Sequence, residues 1–183
     1  MAYTDKIIFN QKTGQLIKFM QTSNDTDGKL LEMNVTFTPQ RLPPPMHHHP
    51  KQTESFRIIL GSLSVNIYGK TLILTQGQTL EIPANVPHSM WNNSDVKTIV
   101  NWRVKPALQT EFLLETLTGL ANDDRTNSLG VPCLLQKVLT ARKYNDSLRL
   151  SNPPYFIQRI LFALITPLAL LCGYRADDKK YFT

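Results

Sequence analysis

Apolar and polar residues alternate with a period of two in the first part of the chain. In residues 29–38 every second side chain from Leu31 to Phe37 is apolar, and residues 96–104 repeat the pattern. This period predicts half-buried β-strands. Shorter apolar runs between turn residues predict further strands at 55–60, 63–68, 71–74, 79–82 and 88–91. Many short strands at regular spacing predict an antiparallel sandwich or barrel.

The apolar period becomes helical after Pro106. Residues 107–120 and 132–143 carry apolar side chains at spacings of three and four, which predicts two amphipathic helices. Pro106 is suited to the start of the first helix, and Pro132 lies near the first turn of the second. The second helix is predicted to bury a stripe of four apolar residues, Leu134, Leu135, Val138 and Leu139.

A third helix is predicted over residues 153–172, with Pro167 expected to kink or interrupt it. Gln158, Arg159 and Thr166 share a narrow arc, and nearly every other side chain is apolar. So broad an apolar face has three interpretations: burial against a symmetry mate or other helices, contact with a membrane surface, or a membrane span. We expect a homodimer in which this helix is largely buried. Gln158, Arg159 and Pro167 count against a span.

Together these patterns predict a mainly β chain followed by helices. A β-barrel is expected over residues 1–105, and an α-helical C-terminal extension packed on the barrel is expected over residues 106–183. The length of 183 residues suits one sizeable domain with an appendage, and 42% hydrophobic with 19% charged residues is typical of a globular protein. Two cysteines, Cys133 and Cys172, and no basic-then-apolar leader pattern favour a cytoplasmic location.

Basic residues are concentrated at the C-terminal end. The chain has 20 Lys and Arg against 14 Asp and Glu, a net charge of +6. Eight basic and three acidic residues, a net of +5, lie in the range 137–183. This bias is typical of a solvated face, and anionic lipid or nucleic acid are the alternatives. Since the chain has no recognisable nucleic-acid motif, we expect no nucleic-acid partner.

The four histidines form the candidate site. Alternation along a strand places His47 and His49 on one side and His48 on the other. A hairpin after His49 would return Glu54 beside these imidazoles, and His88 would complete a set of three nitrogens and one oxygen. Such a set suits a divalent transition metal such as iron, manganese, nickel, copper or zinc. By spacing alone, a His-rich surface turn is an equal alternative.

Two motifs resemble those of the cupin superfamily. The first contains His47-x-His49, four residues, Glu54, six residues and Gly61; the second contains Gly77, five residues, Pro83, four residues, His88, three residues and Asn92. Arg41 and Asn85 stand where the family often has glycine. The helical part also resembles that of single-cupin proteins with a C-terminal extension. The resemblance implies a double-stranded β-helix, or jelly roll, with a metal held inside the barrel by His47, His49, Glu54 and His88.

Strand parity suggests which residues line the barrel near the metal. Phe56 and Ile58 share the parity of Glu54, and Met90 and Asn92 share that of His88. These four residues are candidates for the lining of an apolar pocket, although core filling is the more frequent role of Phe, Ile and Met. Trp91, on the opposite parity from Met90, is expected to pack on the outer face.

Two classes of function follow from the resemblance. The first is a metal-dependent dioxygenase of the quercetinase type that acts on a small organic substrate, with Glu54 as both ligand and proton acceptor. The second is a non-catalytic module that binds or senses a small ligand. Because the fold hosts both classes, the fold alone does not decide between them.

Overall fold

The computed structural model of the chain describes residues 1–40 and 42–182. Arg41, the first departure from the family motif, lies outside the described residues. Within these ranges, two antiparallel sheets pack face to face, and three helices follow. This arrangement confirms the predicted class of a mainly β barrel followed by a helical C-terminal part.

The two sheets contain six and five strands. The larger sheet has the order β1-β2-β3-β10-β5-β8, and the smaller has the order β11-β4-β9-β6-β7. The strands are β1 (Ile7–Phe9), β2 (Leu16–Gln21), β3 (Leu31–Phe37), β4 (His47–His48), β5 (Thr53–Leu60), β6 (Ser62–Ile67), β7 (Lys70–Thr75), β8 (Thr79–Ile82), β9 (His88–Trp91), β10 (Thr98–Lys105) and β11 (Arg149–Leu150).

The inward faces of the strands form the core. Alternate residues of β3 and β10 are buried, with Phe37 and Trp102 partly buried at their inward positions, in agreement with the period of two. One apolar cluster lies between the two sheets near β5, β6 and β9, and a second lies between β2, β3 and β10. All seven predicted strands are present within two residues of their predicted ends, whereas β1, β2, β4 and β11 were not predicted from the pattern.

Two tight turns keep the site-bearing strands in register. Gly61, with a φ of 79°, joins β5 to β6, and a Cβ there would lie 2.9 Å from the Lys97 carbonyl oxygen. Asn85, before β9, has a φ of 66°. Asn tolerates this left-handed conformation better than most residues, so the substitution of a common glycine leaves the turn intact.

The helices are α1 (Thr110–Asn122), α2 (Leu134–Lys143) and α3 (Tyr155–Leu171), and a short 3-10 helix follows at Lys179–Phe182. Two details correct the sequence predictions. Helix α1 begins four residues after Pro106, so this proline lies in the connection and not in the first turn. Leu134 is exposed although it precedes the buried Val138 by one turn, because it is the first residue of α2 and lies at the end of the buried stripe.

Pro167 lies inside α3 without ending the helix. Within residues 1–40 and 42–182, no helix is long and apolar enough to cross a membrane.

The helical part is tied to the barrel by a strand and by buried carboxylates. Strand β11 pairs with β4, so that Arg149 lies opposite His48 and Leu150 lies opposite His47. On α1, the buried Glu111 accepts hydrogen bonds from the backbone and side chain of Ser23. These contacts join residues after 106 to the sheets that carry the histidines.

Candidate metal centre

Three strand ends bring the predicted ligands together. His47 begins β4 and lies opposite His88, the first residue of β9, while His49 directly follows β4. The chain then turns through residues 50–52 and enters β5, where Glu54 lies between Ile82 and Val104 of the neighbouring strands. The hairpin expected from the sequence therefore returns the carboxylate beside the imidazoles.

The ligand atoms converge on one point. The Nε2 atoms of His49 and His88 lie 3.1 and 2.9 Å from Glu54 Oε2. The His47 ring centroid lies 5.3 Å from that of His49 and 4.6 Å from that of His88. One ring nitrogen from each of the three histidines lies within 4.8 Å of the others. The structure thus gathers all four predicted residues, while His48 lies outside this group.

Backbone carbonyls orient all three imidazoles. The Nδ1 atoms of His47, His49 and His88 lie 3.2, 2.5 and 2.9 Å from carbonyl oxygens. The carbonyls belong to Pro45, Ser147 and Val86 respectively. A carbonyl can only accept, so each Nδ1 carries a proton, and Nε2 is the nitrogen left to face the centre. Such contacts are how proteins fix the tautomer and direction of metal-binding histidines.

The electrostatics of the centre favour a cation. Burial alone would raise the pKa of Glu54, but His49 and His88 hold it below its usual range, so the carboxylate is ionised. Glu54 Oε2 and the Nε2 atoms of His49 and His88 are buried and have no hydrogen-bond partner among the described residues. Lone pairs that face one another in this way need a shared proton or a metal ion. Three imidazole nitrogens and one carboxylate oxygen fit a divalent transition metal.

Glu54 accepts a hydrogen bond from a residue outside the predicted site. Trp102 of β10 donates its indole N–H to Glu54 Oε1 at 3.0 Å, which leaves Oε2 directed at the histidines. The Trp102 ring stacks on Phe56 at a centroid distance of 5.5 Å. The alternation in residues 96–104 places Trp102 on the inward face of its strand. Because an inward-facing indole N–H needs a hydrogen-bond acceptor, the sequence contained a basis for predicting this contact.

The four candidate lining residues occupy different environments. Phe56, Ile58 and Met90 are buried in the apolar cluster between the sheets. Asn92 is also buried, and its amide group bonds to the carbonyls of Phe37 and Val96 at 3.0 and 2.7 Å. The geometry therefore gives these residues contacts that support the barrel around the site, and a role in substrate contact stays a prediction.

The four predicted ligands differ in their exposure to solvent. Glu54, His49 and His88 are fully buried, whereas His47 is only partly buried and adjoins the exposed Pro45. A molecule from solvent would therefore approach the centre from the His47 side. Burial and the neighbouring His88 and His49 lower the pKa of His47 to about 4, so this imidazole is neutral at physiological pH.

Comparisons with known proteins agree with this architecture. The family model described as "Cupin domain" matches residues 33–102. The chain is 25% identical over 152 residues to a Hypocrea virens protein named "Probable oxidoreductase virH", covering 76% of this chain and 68% of that protein.

Two solved structures resemble part of the chain. KdgF from Halomonas sp. is 15% identical, with a TM-score of 0.49, covering 57% of this chain and 91% of that one. An RmlC-like cupin from Shewanella frigidimarina is 17% identical, with a TM-score of 0.49, covering 61% of this chain and 94% of that one.

The ligand set predicts which histidine substitutions abolish metal binding. His88→Ala removes one of the converging nitrogens, so elemental analysis of natively purified protein should show the metal lost. His48→Ala is the matched control and should keep one ion per chain, because adjacent strand residues point to opposite faces. Equal metal content in wild type and His88→Ala would contradict the assignment.

The Trp102 contact predicts a weaker but intact centre in Trp102→Phe. The substitution keeps an aromatic ring against Phe56 and removes the N–H that holds Glu54 Oε1, so metal affinity should fall about 10–100-fold. Trp91→Phe is the matched control, because the Trp91 indole nitrogen has no hydrogen-bond partner among the described residues. Competition titrations with a chelator measure both affinities, and equal losses in the two variants would refute the role of Trp102.

The lowered pKa of His47 predicts acid sensitivity of the chelator-treated protein. Between pH 6.5 and about 4, His47 is neutral in the fold and protonated in the unfolded chain, so the unfolded state binds more protons. The free energy of unfolding should therefore fall as the pH falls through this window, by up to about 3 kcal/mol. Denaturation of wild type and His47→Gln across this range should show a shallower dependence in the variant. Parallel curves would contradict the prediction.

Proposed function

Because the chain belongs to the cupin superfamily, we propose that it is a metal-dependent oxidoreductase of the dioxygenase type, acting on a small organic substrate. The observation that carries the proposal is the convergence of one ring nitrogen from each of the three histidines near Glu54 Oε2, each histidine being held through Nδ1 by a carbonyl. So many orienting contacts around lone pairs without partners are typical of a site built for a metal.

The name of the Hypocrea virens relative supports the reaction class. That protein is named an oxidoreductase, and its similarity extends over 76% of this chain. When bound, a divalent transition metal would supply a Lewis-acidic, redox-capable centre that brings dioxygen and substrate together. A dioxygenase needs no separate reductant, since both oxygen atoms enter the substrate.

Four residues would hold the metal, and a fifth supports one of them. His47, His49 and His88 would hold the metal through Nε2, and Glu54 would hold it through Oε2. Trp102 keeps Glu54 Oε1 occupied. Because Oε2 has two lone pairs, one would hold the metal and the other would receive a proton released by the substrate. A phenol suits this site, because a hydroxyl group beside a bound divalent cation would lose its proton more readily than in water.

Access limits the size of the substrate. Phe56, Ile58 and Met90 fill the barrel interior, and the exposed approach lies beside His47. We infer that the reacting part of the substrate enters at this mouth and contacts the centre there. A small ring that carries a hydroxyl group at its edge is the substrate class that we would test first.

Oxygen consumption tests the proposal. Metal-replete protein should take up dioxygen in the presence of phenolic substrates such as catechol or a flavonol, measured with an oxygen electrode. His88→Ala should be inactive because it lacks metal. Glu54→Gln should lower kcat at least about a hundredfold if Glu54 receives the proton. The control variant Trp91→Phe should retain the wild-type rate.

A different outcome would assign the second class of function. If the metal-replete protein binds phenols by calorimetry and consumes no dioxygen with any of them, the enzyme proposal fails. The protein would then be a module that binds a small ligand at the same centre.

A further inference from the structure

Helix α3 has its polar and apolar sides reversed relative to an ordinary surface helix. Its polar residues Gln158 and Thr166 are buried against the rest of the chain. Gln158 Nε2 donates to the carbonyls of Leu150 and Pro153 at 2.8 and 2.7 Å, which fixes the helix to β11 and the adjoining loop. These two residues of the polar arc therefore face the rest of the chain, while Arg159 stays exposed and the apolar side is turned outward.

The outward side is a continuous apolar surface, which we call the outer face of α3. Six large side chains form it and are more than half exposed: Phe156 66%, Ile160 55%, Leu164 70%, Leu168 53%, Leu170 57% and Leu171 87%. A helix of 17 residues is about 25 Å long. Scattered apolar side chains are common on protein surfaces, but six large ones side by side on one helix mark an interaction site. The expected burial of residues 153–172 is thus not achieved within the chain itself.

Positive charge borders the outer face. The range 147–176 contains three arginines and no Asp or Glu. A groove of about 330 Å³ beside the face is lined by Arg142, Asn145, Tyr155, Arg159, Phe162 and Ala163. Both arginines are exposed, and neither forms an ion pair with any residue in 1–40 or 42–182. Two free guanidinium groups beside an apolar surface match a layer of phosphates above acyl chains.

We propose that the outer face of α3 docks on the surface of a membrane that contains anionic phospholipids. The helix lies in the plane of the interface with its apolar side chains in the acyl boundary, while Arg142 and Arg159 contact phosphates. Charge favours this occupant over a second copy of the chain. In a two-fold contact the same patch faces itself, and residues 147–176 of the second copy offer no Asp or Glu to neutralise the arginines of the first.

Vesicle sedimentation tests the docking. Full-length protein should sediment with vesicles of phosphatidylcholine and phosphatidylserine, bind much less to phosphatidylcholine alone, and be released by salt. Leu164→Glu should weaken binding at least about tenfold, because it places a charge in the acyl boundary. Arg159→Glu should weaken it about fivefold or more. The matched control is Ile73→Glu on the edge strand β7, where the side chain is 66% exposed, and it should bind as wild type does.

Two results would overturn the proposal. In the first, the full-length protein stays in the supernatant with anionic vesicles at low salt. In the second, sedimentation equilibrium shows a dimer that Leu164→Glu converts to a monomer, which would assign the outer face to a second copy of the chain. Neither measurement depends on the metal or on turnover, so the docking proposal stands or falls independently of the proposed enzyme activity.

Discussion

A buried carboxylate is the constraint on which the centre of this protein depends. Glu54 has no exposed surface, and an ionised group so placed must be neutralised by its surroundings. Trp102 satisfies one carboxylate oxygen, and the other faces the imidazoles of His49 and His88. The imidazole Nδ1 atoms already donate to carbonyls, so a proton that neutralised Glu54 could lie only between its carboxylate and the Nε2 atoms. Burying the ionised Glu54 costs free energy unless a positive charge is present. The same contacts therefore favour the binding of a cation.

The helical part of the chain contributes to this centre as well as to the surface. Ser147 supplies the carbonyl that orients His49, and β11 pairs with the strand that carries His47. Gln158 of α3 bonds in turn to the carbonyl of Leu150 in β11. The centre and α3 are therefore connected by a short series of hydrogen bonds, and the residues after 106 form one structural unit with the barrel mouth.

Much of the fold and the four converging residues could be predicted from the sequence, because alternation and motif spacing are local signals. The pattern did not predict strand β2. Apolar Met20 directly follows apolar Phe19, which interrupts the alternation of apolar and polar residues. The outward orientation of α3 depends on the partners of Gln158, which are tertiary contacts. Ser147 was not predictable either, because a backbone carbonyl acts there and any residue type would provide it. Trp102, in contrast, could have been selected from its inward parity.

The contact between His49 and Ser147 joins atoms that are 98 residues apart in sequence. Closing so long a loop costs conformational entropy that other contacts of the fold must offset. During synthesis, His47, His49, Glu54 and His88 all emerge before Ser147 does. The nascent barrel can gather its ligands, but His49 acquires its final orientation only after the second helix has been made. The complete set of contacts around His49 therefore requires that the chain be synthesised at least as far as Ser147.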